Sequence, residues 1–359
     1  MLAALTVSPT SRESFTTPDW LWWVMIVTIV IALAIDLLAH RKDHVIGFKE
    51  AAWWSVGWIT LAVAFSGLIY YAVGTASATG AENFSTGAAT DATIKYFTAW
   101  LLEKSLSVDN LFVFALIFSY FAVPKAYQHR VLFFGVMGAL IFRAIFLAAG
   151  VALVNMFTWL FFIFGAILLW SAWKLAKDED EEDYDPSTNI AVRLLRKMMP
   201  VSDRYHGTHF FVKENGVRMA TPLLAVVVAI EAADLMFAVD SVPAVLAVSS
   251  DLFIVYASNA FAILGLRALY FLLAGLLDKF HYLSRGLAII LAFIGVKLIM
   301  LAGHDMISER IPHIPTWVSL TVIVVVLTAS VILSLVRPQA DEDGHPGAAG
   351  AGESPDTDP

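Results

Sequence analysis

The 359-residue chain contains no cysteine. This absence excludes disulfides, thiolate metal sites and iron–sulfur clusters. All nine histidines fall in loops or near the ends of apolar segments, so we expect no zinc, copper or nickel site at the centre of the bundle. Neither G-x-x-x-x-G-K-[ST] nor H-E-x-x-H occurs, which argues against ATP-driven pumping by this chain and against metalloprotease chemistry. We therefore expect a protein that is not an enzyme and has no organic cofactor.

Charged residues are also scarce: 15% of the chain is charged, 59% is hydrophobic and the mean hydropathy is +0.73. Soluble domains have roughly 25% charged residues. A helix that crosses a bilayer needs about 20 mostly apolar residues. Nine segments meet this condition: 20–38, 51–73, 96–121, 131–150, 156–176, 222–247, 252–274, 286–302 and 316–336. The sequence predicts an all-α, polytopic membrane helix bundle whose surroundings are the lipid bilayer, with no nucleic-acid partner.

Lys and Arg are concentrated in alternate loops, and short basic loops face the cytoplasm. This rule predicts an N-terminus outside and a C-terminus in the cytoplasm. We expect an extracytoplasmic segment 1–19, a transmembrane domain 20–336 with a cytoplasmic loop 177–221, and a disordered acidic tail 337–359. The segment 1–19 lacks the pattern of a cleaved signal peptide. The loop 177–221 is also a candidate site for protein partners.

Two groups of three spans resemble each other. The motif SVDN around Asp109 resembles AVDS around Asp240, and another acid, Glu103 or Asp234, stands six residues before each aspartate. The predicted topology gives the first helices of the two groups opposite directions, so the groups form inverted repeats. The two repeats are residues 96–176 and 222–302. Such repeats support alternating access to a site near the middle of the bilayer.

Ionisable residues interrupt these apolar spans, and each costs about 2.5–3.5 kcal/mol at the bilayer centre unless it is paired or hydrated. Nine were identified: Glu103, Lys104, Asp109, Arg143, Glu231, Asp234, Asp240, Arg267 and Lys297. They must face each other, water or an ion. One interpretation is salt bridges that only orient the helices. The other is a cation site, and buried ion pairs seldom improve net stability.

The acids supply oxygen ligands, and Asn110, Ser107, Ser241 and Asn259 stand near them in the sequence or in the next span. Oxygen ligands suit Mn²⁺, Mg²⁺ and Ca²⁺. The helix rise predicts two layers of acids about 9 Å apart. The first layer contains Glu103 and Asp240, and the second contains Asp109 and Asp234.

Acids six residues apart point in directions about 240° apart on an ideal helix. Either Pro243 kinks or breaks its helix and frees a carbonyl, or one acid of each pair binds the ion while the other pairs with Arg or Lys. We expect Arg143 and Arg267 to pair with acids or cap carbonyls, with a gating role as one possibility. Lys104 is expected to extend toward the outer surface. Lys297 has no basic counterpart in the first repeat and could be a tethered cation.

Three motifs together resemble the TerC family of integral membrane proteins, named for tellurium resistance. They are Glu103-Lys-Ser-Leu-Ser-Val-Asp109-Asn110, Glu231-Ala-Ala-Asp234-Leu-Met-Phe-Ala-Val-Asp240-Ser241-Val-Pro243 and Asn259-Ala-Phe-Ala-Ile-Leu-Gly-Leu-Arg267. The resemblance implies a bacterial inner-membrane protein of the superfamily that includes lysine exporters, and it implies manganese export. It places metal ligands at Glu103, Asp109, Asn110, Glu231, Asp234, Asp240 and Ser241.

The sequence thus predicts a secondary transporter that exports a hard divalent cation. The expected cargo is Mn²⁺, with Ca²⁺ or Mg²⁺ as alternatives, and protons are a candidate coupling ion. The alternative is a membrane scaffold that does not transport and acts in tellurite or metal stress resistance through partner proteins.

Overall fold

A computed structural model of the chain describes residues 17–39, 46–76, 86–177, 190–202, 204–214, 217–273, 282–308, 310–312 and 314–336. The predictions for most of the segment 1–19, for the acidic run that opens the cytoplasmic loop and for the tail 337–359 lie outside these residues.

The described residues form eleven helices and one two-stranded antiparallel sheet. In chain order they are α1 (Asp19–Ala39), α2 (Phe48–Thr75), α3 (Thr86–Tyr120), α4 (Lys125–Met156), α5 (Leu160–Lys177), α6 (Ile190–Met198), β1 (Phe211–Glu214), β2 (Val217–Ala220), α7 (Pro222–Leu246), α8 (Leu252–Leu264), α9 (Leu266–Leu273), α10 (Tyr282–Met306) and α11 (Thr316–Val336).

Several helix starts follow from local sequence. Pro124 directly precedes α4, and Pro222 is the first residue of α7. Proline fits there because it lacks the N–H that a first turn leaves unbonded. At the start of α8, the Asp251 carboxylate accepts a hydrogen bond from the backbone N–H of Ile254 at 2.9 Å. Such a cap satisfies one of the free donors at a helix start.

Eight of the nine predicted spans each correspond to one helix, the span 252–274 is divided between α8 and α9, and the protein is a helical membrane bundle. Within the described ranges, seven helices are long and apolar enough to cross a membrane. The pair α8 and α9, bent by 41° at Gly265, would be an eighth span if it crosses as one unit. Helix α3 carries too many charges to meet the same condition, so the number nine remains a prediction.

Corresponding helices of the two predicted repeats pack against each other: α3 against α7, α4 against α8 and α9, and α5 against α10. In the last pair the matched residues Gly165 and Gly295 face one another. A Cβ added to Gly165 would lie 2.9 Å from the carbonyl oxygen of Gly295. These glycines let two backbones approach closely, as small residues do between membrane helices. The inverted relation of the repeats remains a prediction.

The second part of the loop 177–221 is folded against the ends of α3 and α4. The Tyr205 hydroxyl donates to the carbonyl oxygen of Phe121 at 2.6 Å, and Arg130 donates to the Thr208 hydroxyl at 2.7 Å. Burial raises the pKa of Tyr205 to about 12, so this hydroxyl keeps its proton at neutral pH. Strands β1 and β2 pair with Phe211 opposite Ala220. The loop is therefore attached to the bundle by specific contacts.

Candidate metal site

Helix α7 carries three of the predicted acids, and it runs without interruption from Pro222 to Leu246. Pro243 lies inside it near its end, so the helix does not break beside Asp240. Asp234 faces α4, whereas Asp240 faces α5, where the Ser171 hydroxyl donates to it at 2.7 Å. The acids six residues apart therefore serve different neighbours, as the helical rotation predicts.

Arg143 of α4 joins helices from the two predicted repeats. Its Nε and Nη2 donate to the two carboxylate oxygens of Asp234 at 3.1 and 2.8 Å. Its Nη1 contacts the Glu103 carboxylate of α3 and lies 3.4 Å from the Ser241 hydroxyl. Forked pairing of this kind gives strong, oriented charge-assisted hydrogen bonds.

This cluster of Arg143, Glu103, Asp234 and Ser241, the Arg143 cluster hereafter, is almost sealed from the surroundings. Arg143 is 1% exposed, Glu103 0% and Asp234 3%. Two carboxylates and one guanidinium leave a formal charge of −1, and the second oxygen of Glu103 has no hydrogen-bond partner among the residues that the structure describes. Oxygen ligands from both repeats are thus already gathered around a cation, which in this structure is a side chain.

The Arg143 cluster links acids of the two predicted layers. Glu103 was grouped with Asp240, and Asp234 with Asp109, yet Arg143 joins Glu103 to Asp234. Helix rise alone cannot predict this pairing because a long side chain spans the difference in depth.

Glu231 lies one turn before Asp234 on α7, against Gly138 of α4. Both of its carboxylate oxygens are buried, and neither has a hydrogen-bond partner among the described residues. A buried acceptor without a partner is costly, and a charged one more so. Glu231 therefore needs a proton or a cation to offset its burial.

The matched arginine of the second repeat has a different partner. Arg267 of α9 pairs with the Asp36 carboxylate of α1, and its Nη2 lies 3.3 Å from the Asp36 carbonyl oxygen. Asp36 was missed in the sequence although it lies in the first predicted span. An ionisable residue inside that apolar run was the signal that could have identified it. Arg267 and Asp234 line the same small cavity, of about 10 Å³, which is about the volume that one water needs.

The two predicted lysines bind neutral oxygens. Lys104 donates to the carbonyl oxygen of Ala262 at 3.1 Å, next to the bend at Gly265. Lys297 donates to the Ser319 hydroxyl of α11 at 2.9 Å. Over the described part of the chain, neither lysine forms an ion pair with an acid. Lys104 therefore caps a bent span from within the bundle, a contact that was not expected of a side chain extending outward.

The other predicted ligands are less fully defined. Asn110 is buried, and the backbone of Asp109 lies on α3, but the Asp109 side chain is not described. Across the residues whose side chains are described, no group of three or more His, Asp or Glu side chains is arranged to hold a metal.

The buried charges on long apolar helices define a polytopic integral membrane protein. The chain belongs to the integral membrane protein TerC family, whose family model matches residues 88–342. This membership confirms the resemblance seen in the motifs.

Relatives of the chain are also membrane proteins by name. A Salmonella typhi protein named "Putative membrane-bound redox modulator Alx" is 42% identical over 325 residues, which cover 90% of this chain and 96% of the relative. The Myxococcus xanthus protein "Uncharacterized membrane protein STKORF319" is 42% identical over 328 residues, covering 90% and 95%. A Rickettsia bellii "Uncharacterized membrane protein" is 38% identical over 317 residues, covering 88% and 97%. No solved structure matches the chain.

Proposed function

We propose that this TerC family protein exports a hard divalent cation, with Mn²⁺ as the principal cargo and Ca²⁺ or Mg²⁺ as weaker alternatives. The observation that carries the proposal is the Arg143 cluster: two buried carboxylates from different repeats already share one cation. Carboxylate and hydroxyl oxygens are ligands that Mn²⁺ accepts. Intramembrane acids that face a bundle interior are typical of ion pathways.

In this proposal Glu103, Asp234 and Ser241 form the centre of the site, together with Asp109 and Asn110 from α3. Asp240 lies on another face of α7, where it would receive the ion on its way into or out of the centre. Carboxylates that exchange metal for protons would couple export to proton entry. We place the protein in the bacterial inner membrane with the N-terminus outside and the C-terminus in the cytoplasm.

The relatives' printed name, redox modulator, is compatible with ion transport. This chain has no cysteine, so it cannot modulate redox balance through thiol exchange. We propose that any such effect arises from the cellular content of a redox-active metal.

The test measures cellular manganese under manganese load in cells that express wild type, Asp109→Asn or Asp240→Asn. Both variants remove one carboxylate charge and keep the side-chain size, so they should retain more Mn²⁺ than wild-type cells. Asp91→Asn is the control, because Asp91 forms a partly exposed ion pair with Lys95 on the same helix, 3.0 Å away. Equal manganese content in all four strains would refute the proposal.

Proteoliposomes with an imposed pH gradient then identify the cargo and the coupling ion. We expect faster Mn²⁺ movement than Ca²⁺ or Mg²⁺ movement, and a rate that depends on the gradient. An Mn²⁺ transport rate that does not depend on the pH gradient would refute proton coupling.

A second candidate function is a scaffold that binds proteins through the loop 177–221. It is favoured by the β1–β2 hairpin of this loop. The hairpin exposes Phe211 and Val217, and the Arg218 guanidinium lies over the Phe211 ring. Deleting the hairpin while keeping the buried acids separates the two functions. Stress resistance that survives the acid variants and fails in the deletion would favour the scaffold.

A further inference from the structure

Glu231 is the one acid on α7 whose carboxylate oxygens are both buried and without a partner in the part of the chain that is described. It lies a single helical turn from Asp234, which Arg143 holds through both oxygens. One turn of three residues is about 4.5 Å along the axis. The arginine that binds Asp234 in this structure thus has a second buried carboxylate one helical turn away.

Glu231 packs against α4, the same helix that carries Arg143. Gly138 stands five residues before Arg143, and the Glu231 carboxylate lies directly against it. Side chains of a helix tilt toward its N-terminus, so the Arg143 side chain extends toward the level of Gly138. Because Gly138 has no Cβ, the Glu231 carboxylate can lie directly against the backbone of α4, the helix that carries Arg143.

We propose that Arg143 alternates between two ion pairs: one with Glu103 and Asp234, as in this structure, and one with Glu231 when a divalent cation occupies Glu103 and Asp234. This proposal rests on the proposed function and assigns Glu231 the role of a positioning residue for Arg143. In each state every positive charge, whether of Arg143 or of the metal, is paired with at least one carboxylate. The metal therefore competes with a tethered guanidinium for the same carboxylates.

This competition also selects the charge of the cargo. A monovalent cation that replaces Arg143 brings the same charge and loses the forked hydrogen bonds, so it gains nothing. A divalent cation brings one additional charge to two buried carboxylates. Arg143 would thus keep K⁺ out of the site while it admits Mn²⁺.

A double-mutant cycle tests the proposal through Mn²⁺ binding to the full chain in lipid nanodiscs. The four proteins are wild type, Arg143→Gln, Glu231→Gln and the double variant. Arg143→Gln should bind Mn²⁺ about tenfold more tightly, because the competitor is gone. It should also become sensitive to K⁺.

The effect of Glu231→Gln in the two Arg143 backgrounds distinguishes two roles of Glu231. If it receives Arg143, Glu231→Gln weakens Mn²⁺ binding about tenfold when Arg143 is present and has little effect in the Arg143→Gln background. If it is a direct metal ligand, the loss is equal in both backgrounds. The proposed alternate ion pair would be refuted if Glu231→Gln lowered Mn²⁺ affinity equally in both backgrounds or in neither. It would also be refuted if Arg143→Gln bound Mn²⁺ more weakly than wild type.

A second pair of variants keeps every charge, so it decides the matter even if Arg143→Gln does not fold. In Gly138→Ala the new Cβ meets the Glu231 carboxylate and displaces it from its place against α4, so Glu231 should receive Arg143 less well and Mn²⁺ binding should weaken. Gly135→Ala is the control, because its Cβ would lie 3.1 Å from Ile230 Cγ2 and would leave Glu231 untouched. Equal affinities of the two alanine variants would overturn the proposal.

Absence of Mn²⁺ binding by wild type would refute the proposed function and this inference together, whereas the other negative results refute the inference alone.

Discussion

The ion pair of Asp36 and Arg267 makes a sharp prediction about stability. It ties α1, which lies outside both predicted repeats, to α9, and the two residues are 7% and 4% exposed. In Asp36→Leu the guanidinium stays buried with a backbone carbonyl as its remaining partner from residue 36. Removing one member of a buried ion pair costs about 3–5 kcal/mol, because the other charge is left uncompensated.

The double variant Asp36→Leu/Arg267→Met should recover most of that loss. Replacing both members of a buried pair by apolar residues of similar size is often neutral or stabilising. The two single variants and the double variant should therefore be strongly non-additive. A loss of about 4 kcal/mol would lower the unfolding midpoint by about 10 °C in a domain of this size.

Thermal unfolding in detergent, at one scan rate for all variants, measures these differences. Asp91→Asn serves again as the comparison, because the Asp91 carboxylate is partly exposed and water can replace part of its interaction with Lys95, so its loss should lower the midpoint less than Asp36→Leu does. A single variant that unfolds within about 2 °C of wild type, or a double variant as unstable as the singles, would refute the reasoning.

Two further predictions concern the α5, α10 and α11 interface. Gly165→Leu should destabilise the protein by several kcal/mol, because its side chain would enter the space of the Gly295 carbonyl; a thermal midpoint equal to wild type would contradict this close approach. Lys297→Ile, the residue type at the matching position of the first repeat, should raise the midpoint, because a buried ammonium would no longer depend on the Ser319 hydroxyl. A lower midpoint would show that Lys297 stabilises the bundle.

The helices could be read from the chain because their signals are local. Runs of about 20 apolar residues predict the helices, with one predicted span divided between α8 and α9, and prolines such as Pro124 and Pro222 stand where helices begin. The acids were visible for the same reason, since one charge is conspicuous in an apolar run. Asp36 carried the same local signal, because its carboxylate also interrupts an apolar run.

The partners of these charges could not be predicted, because a pair between helices depends on rotation, register and side-chain length. Arg143 and Arg267 occupy matching positions, yet one joins Glu103 to Asp234 and the other binds Asp36. Pro243 gave a local signal for a break, but the helix continues through it to Leu246.

The sequence by itself determined that this chain is an all-α membrane protein of the TerC family with acids in matched motifs, because hydropathy and motif spacing are properties of the chain alone. Only the tertiary structure decided that Arg143 occupies the carboxylates of Glu103 and Asp234 and that Glu231 is left without a partner. The physical reason is that helix packing, through contacts such as Glu231 against Gly138, sets which buried charges meet.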